Sequence, residues 1–318
     1  MSNSFRIGRV GGIEIGANWT WLFFVAVLVW SLDGAVFPST NPGLASGTYL
    51  AMALAAAPLF FASLVLHELG HARQARREGM QVSGITLWAL GGVARFTSMF
   101  PSASAELRVA LAGPFVSLVL GLVFVALAAL LQPGSAVDGV VAWLGYINLL
   151  LLVFNLVPAL PMDGGRVLRS LLWGARGDLA RATSIAARVG AVLGSAMVAF
   201  GVLATLALKT PSGIWLAVIG LFVVSAGRVE AQTVALQKAL AGLHVRDAMS
   251  WDDDGKPPLD ELPQVDPDAD LATSVAAALQ AGTTTAAVVR DGRVVGFLDV
   301  ADVLRRARGG RPTAVAGS

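Results

Sequence analysis

The sequence predicts a mainly α-helical polytopic membrane protein, with about six spans and short membrane-associated β-hairpins, that ends in a small α/β domain. Three observations lead there. First, the 318 residues are 55% hydrophobic and only 14% charged, with a mean hydropathy of +0.69, whereas soluble domains carry roughly a quarter charged residues. Second, the charges are unevenly spread: residues 1–230 hold 14 Lys/Arg and 9 Asp/Glu, while residues 231–318 hold 9 and 12. Two domains are expected, a membrane body over 1–230 and a soluble, acidic domain and tail over 231–318. Third, apolar stretches near the ~20 residues that cross a ~30 Å hydrocarbon core recur along the body.

Those stretches lie at about 18–34, 48–68, 108–131, 139–158, 185–208 and 213–227. The run Trp19 to Leu32, behind Arg6 and Arg9, has the look of a secretory signal, but further spans follow and it is read as a retained first span. The last stretch is short and either crosses the membrane or lies along its interface. With the N-terminus in the cytoplasm, the inner segments collect thirteen arginines and the outer connections keep Lys209 alone. That asymmetry predicts a multi-pass protein of the cell membrane with both termini cytoplasmic. A basic excess confined to the membrane half argues against a nucleic-acid partner. Cysteine is absent, which excludes disulfides, thiolate metal sites and a cysteine nucleophile.

Two segments outside the spans read as strands. Phe5, Ile7 and Val10, then Ile13 and Ile15, flank Gly11-Gly12, while Val82, Ile85 and Leu87 precede Gly91-Gly92, with Val93 and Phe96 beyond. Both fit hairpins, with an ordinary loop as the alternative.

Near the inner end of the second span stands Leu66-His67-Glu68-Leu69-Gly70-His71. On a helix, positions i and i+4 share a face, so His67 and His71 can grip one metal ion while Glu68 stands beside it as a base. The bland alternative is a pair of histidines at headgroup level. Ionisable residues at membrane depth are expensive, however, and usually functional. A catalytic zinc site takes three protein ligands and leaves one position open. His244 lies in the tail and reads as a surface residue. Asp163 stands where Pro158, Pro161, Gly164 and Gly165 break the fourth span; otherwise it is a helix cap. Topology favours the ligand, because the spans before His71 and Asp163 both run outside to inside and deliver them to one depth. Irregular backbone there must be buried in protein or line a wet cavity. Gly113, Ser117 and Gly121 in the third span form a small-residue stripe, read as helix packing.

HELGH in an apolar helix, followed about ninety residues later by NLVPALPMDGG, resembles the site-2 protease family of intramembrane zinc metalloproteases. The resemblance covers roughly residues 1–230, including Ala112-Gly113-Pro114. It implies one zinc per chain held by His67, His71 and Asp163, with Glu68 as catalytic glutamate. The family's third-span motif often continues to an Asn; Ser117 stands there instead, which puts a polar role at this position in doubt. On this reading Glu68 moves protons between water and the leaving amine, and Asn155 is a candidate oxyanion or substrate contact. The Val82 to Phe96 hairpin, with Ile85, Leu87, Gly91 and Gly92, is expected to clamp an unwound substrate by strand addition. The implied substrate is a single-pass membrane protein, such as a membrane-anchored regulator.

In the tail, Leu271 to Ala281 fits a helix, and Asp291-Gly292 between apolar runs signals a hairpin before a final helix. Roughly residues 245–306 resemble one CBS repeat. Such repeats work in pairs, which implies a homodimer and a dimeric module that can take an adenosine nucleotide. Asp302 matches the ribose contact of nucleotide-binding members, but Asp299 replaces the usual hydroxyl near the phosphates. The rival reading of the whole chain is a non-enzymatic transporter or scaffold regulated by this module.

Overall fold

The computed structural model describes residues 4–88, 91–96, 100–210, 212–251 and 262–308. The chain divides into two compact units, Met1–Arg228 and Val229–Ser318.

The first unit opens with the hairpin β1 (Ser4–Val10) and β2 (Ile13–Asn18), turned at Gly11 and Gly12, whose φ of 57° and 76° favour glycine. Asn18 caps α1 (Trp19–Ser31), which continues through a π-helical segment, Leu32–Val36, into the short α2 (Phe37–Thr40). The long α3 (Ser46–Arg77) follows, and its end is clasped from two sides. Arg76 donates to the carbonyls of Gly11 and Gly12 at 2.6 and 3.1 Å, which ties the hairpin turn to the helix. Arg108 makes two 2.7 Å bonds to Glu78, just beyond the helix, and holds that carboxyl at about 2, below its ordinary range.

Next come β3 (Val82–Trp88) and β4 (Gly91–Phe96), paired antiparallel. The two expected hairpins are not separate. Ile15, Gly16 and Ala17 pair in parallel with Ile85, Thr86 and Leu87, so one four-stranded sheet forms in the order β1-β2-β3-β4. This pairing moves Ile85 and Leu87 from the expected clamp into the core. At 0% and 2% exposure they pack with Ile13, Ala17, Phe61, Leu64 and Ala72. β3 is paired on both sides, and the edge left open beyond it belongs to β4.

The remaining helices are α4 (Ala103–Ala128), α5 (Ala136–Asn155), α6 (Asp163–Arg176), α7 (Leu179–Ala207) and α8 (Ser212–Leu240). Ser102, Ser135 and Asp178 cap α4, α5 and α7 through their side chains. Among the described residues, six helical segments are long and apolar enough to cross a membrane, including Gly213–Leu240. The sixth is thus longer than its apolar stretch suggested, because the helix runs on through polar sequence beyond Arg228. Their outer surfaces carry exposed apolar side chains such as Phe115, Leu122 and Phe200, as lipid-facing helices must.

Glycines set the helix spacing. A Cβ on Gly70 would lie 2.9 Å from the Ala112 carbonyl oxygen, and one on Gly121 would lie 2.6 Å from Leu149. Bare backbone at these points lets α3, α4 and α5 approach closely. Between α5 and α6 the chain leaves the helix at Asn155 and folds back over the next helix start, with Ala159 and Leu160 fully buried. A Cβ on Gly165 would meet the Ala159 carbonyl oxygen at 2.7 Å, which explains the glycine there.

The second unit holds β5 (Gln264–Val265), α9 (Leu271–Gln280), β6 (Thr285–Arg290), β7 (Arg293–Asp299) and α10 (Val300–Arg308). The sheet order is β5-β6-β7, with β6 and β7 antiparallel. Their turn places Asp291 and Gly292 at φ 50° and 74°, the primed-turn geometry that Asp-Gly favours. Leu271, Val275, Ala286, Val288, Leu298 and Val303 form its core. The acidic run at 252–254 lies outside the described residues.

Candidate metal centre

His67 and His71 project from one face of α3, with ring centroids 4.8 Å apart at 75°. Both are buried, at 2% and 6% exposure. α4 fixes each ring. His71 Nδ1 lies 2.7 Å from the Val109 carbonyl, and His67 Nδ1 lies 2.9 Å from Ser117 Oγ. A carbonyl only accepts, so His71 Nδ1 carries the proton and its Nε2 presents a lone pair. Metal ligation by His67 Nε2 requires the same tautomer, in which Nδ1–H donates to the Ser117 hydroxyl. Both Nε2 atoms then face inward, 3.1 Å apart.

The third member arrives on another element. Asp163 opens α6, where the helix dipole favours a carboxylate. Its Oδ2 lies 3.3 Å from His67 Nε2 and 3.2 Å from His71 Nε2, and it is a buried atom without a hydrogen-bond partner. Three lone-pair atoms thus converge on one another with no proton assigned between them. A tetrahedral ion with ~2.0–2.1 Å bonds sets its ligand atoms ~3.3 Å apart, which fits this triangle and its donor set of two imidazoles and a carboxylate. Among the described residues, His67, His71 and Asp163 are the cluster able to hold a metal.

The surroundings are shaped for this cluster. A Cβ on Gly113 would stand 2.6 Å from His67 Nε2 and closer still to His71 Nε2, so only glycine leaves the space free. Two positions of the small-residue stripe therefore serve the site: Gly113 clears it, and the Ser117 hydroxyl has the polar role that its departure from the family's Asn had put in doubt. A serine inside a stripe of small residues was the available signal. The Val109 contact is through backbone and has none.

Glu68, one residue after His67, is half-buried beside the sheet. A Cβ on Gly92 would lie 2.5 Å from Glu68 Cγ, so the β4 backbone passes directly over this side chain. Gly91 sits at the start of the same strand. Asn155 ends α5, and its amide donates to the Leu151 carbonyl at 2.9 Å. In the second unit Asp302 pairs with Arg306 at 2.6 Å and Arg305 at 3.5 Å, while Asp299 accepts from the Asp302 N–H and caps the helix.

Residues 55–140 and 134–197 match the model of peptidase family M50. The zinc metalloprotease Rip3 of Mycobacterium tuberculosis is 38% identical over 253 residues, 79% of this chain and 64% of Rip3. The zinc metalloprotease sll0528 of Synechocystis is 36% identical over 254 residues, 78% of this chain and 65% of that protein. The chain thus spans slightly less than two thirds of the length of these curated relatives. Among solved structures, the site-2 protease from Methanocaldococcus jannaschii is 31% identical, with a TM-score of 0.50, over 72% of this chain and 95% of that one. The apolar helices, the buried His-His-Asp cluster and these likenesses agree: the chain is a multi-pass membrane protein of peptidase family M50, the zinc metalloprotease family that includes site-2 protease.

Proposed function

We propose that this protein is an intramembrane zinc metalloprotease that hydrolyses peptide bonds within or next to transmembrane segments of membrane-anchored proteins, near the cytoplasmic side. The observation that carries the proposal is the convergence of His67, His71 and Asp163, buried among apolar spans, with Glu68 next to them. That convergence favours an enzyme over a transporter or scaffold.

His67, His71 and Asp163 would hold zinc, which supplies Lewis-acid polarisation of water and of the scissile carbonyl at neutral pH. Glu68 takes the proton of the attacking water and later delivers it to the leaving amine. The Val109 carbonyl keeps His71 in the tautomer that presents Nε2, and the Ser117 hydroxyl offers His67 an acceptor for the same one. Asn155 has a second amide hydrogen beyond the one given to Leu151, available to a developing oxyanion or to substrate backbone. A transmembrane helix exposes its peptide bonds only when unwound, and unwound backbone in a membrane needs new partners. The open edge of β4, whose Gly92 lies on Glu68, supplies them by strand addition.

The domain over 231–318 is the regulatory part of this reading. Its order of strand, helix, two strands and helix suits a single CBS-like repeat that pairs with a second copy, giving a homodimer. An adenosine nucleotide in such a dimer would have to draw Asp302 away from Arg306. The arginine distribution supports a cytoplasmic position for both termini.

The test is cleavage of a membrane-anchored reporter by purified wild-type protein and by Glu68→Gln. The variant is expected to lose cleavage by several orders of magnitude while keeping its zinc. Cleavage at the wild-type rate would contradict the role given to Glu68.

A further inference from the structure

We propose that the buried ion pair between Glu106 and Arg169 is a positioning strut, which sets the distance of Asp163 from the two histidines and so the tightness with which the metal is held. The proposal rests on the metal-site reading above. Glu106 stands in the first turn of α4 and is 0% exposed; Arg169 lies on α6 and is 4% exposed. Arg169 Nε donates to Glu106 Oε1 at 2.6 Å, and a terminal nitrogen of the guanidinium closes on the same oxygen.

These two helices are the ones whose spacing the site depends on. α4 carries the Val109 carbonyl and the Ser117 hydroxyl that hold the two Nδ1 atoms, and the cleared space at Gly113. Glu106, Gly113 and Ser117 follow one another at i, i+7 and i+11, a single face of that helix. Asp163 opens α6, less than two turns before Arg169. The Asp163 distances of 3.2 and 3.3 Å to the imidazoles are therefore distances between α6 and the α3–α4 pair.

Two full charges withdrawn from water are a poor device for stability alone. Their desolvation roughly cancels their attraction, and a well-packed apolar pair is often as stable. What the pair supplies is direction and length. A guanidinium that reaches one carboxylate oxygen with two nitrogens fixes how far apart the helices sit. Groups that hold metal ligands in place commonly change metal affinity by roughly 10–100-fold when removed.

The test uses full-length protein purified in detergent. Glu106→Gln, Arg169→Met and the double variant Glu106→Leu with Arg169→Met are titrated with zinc against a chelator, and thermal unfolding of the zinc-stripped forms is followed in parallel. Each single variant is expected to bind zinc roughly 10–100-fold more weakly. The double variant removes both charges of the pair together, so its zinc-stripped form is expected to unfold closer to the wild-type temperature than either single variant. Its zinc affinity is nevertheless expected to stay at least ~10-fold below wild type. Wild-type affinity in the double variant overturns the proposal and leaves the pair a structural brace. Glu106→Asp decides the matter if the others do not fold: it keeps the charge and shortens the strut by one methylene. Weakened zinc binding supports the proposal and unchanged binding overturns it. A wild-type protein that binds no zinc would contradict the metal-site reading instead, so the two failures are distinguishable.

Discussion

A single hydroxyl and a single missing methyl group decide how this site is built. Ser117 holds the His67 ring by its Nδ1, and Gly113 leaves room for both rings. Replacing Ser117 with Ala should weaken zinc binding by roughly 10–100-fold without loss of the folded protein, measured by competition with a chelator. Gly113→Ala should be more severe, because the added carbon falls on Nε2 of both histidines; zinc content near zero is expected, with the protein still inserted. Zinc binding unchanged in both variants would show that α4 does not hold the imidazoles. At this scale the sequence was partly transparent. HExxH encodes two ligands by helical spacing alone, so His67 and His71 are legible without any structure. Asp163 needed the topology of two spans. Ser117 was legible only as a small residue, since packing and hydrogen bonding both call for one there.

Among the elements, the sheet departs furthest from what the sequence suggested. The turns at Gly11-Gly12 and Gly91-Gly92 reveal hairpins because turn chemistry is local. The parallel pairing of β2 with β3 joins residues some seventy positions apart, and no local pattern encodes it. That pairing buries Ile85 and Leu87, and the proposed strand addition therefore falls to β4. A cysteine at Ala94 on β4, in a Glu68→Gln background, should form a disulfide with a cysteine in the reporter's cleavage segment. A cysteine at Ile7 on β1, the opposite edge, should not. Equal cross-linking at both edges would remove strand addition at β4 from the mechanism. The spans were legible as elements because length and hydropathy set them, while their ends were not. Helices such as α3, from Ser46 to Arg77, run on past the apolar stretch, held there by polar contacts like Arg76 on the Gly11 and Gly12 carbonyls.

At the level of the whole molecule, uneven charge organises everything else. Thirteen arginines against Lys209 are the basis for the proposed orientation of the spans, in which His67, His71 and Asp163 would share one depth. The natural absence of cysteine makes the orientation simple to measure. In intact cells, a membrane-impermeant thiol reagent should label Lys209→Cys and leave Ser4→Cys and Asp291→Cys unlabelled until the membrane is opened. Labelling of Asp291→Cys in intact cells would put the second unit outside and reverse its proposed role. The central claim is that residues about ninety positions apart form one zinc site, and metal analysis of purified protein tests it most directly. Wild-type protein should carry about one zinc per chain, and both His67→Ala and Asp163→Ala should lose it. An Asp163→Ala protein that retains zinc with wild-type affinity would contradict the claim.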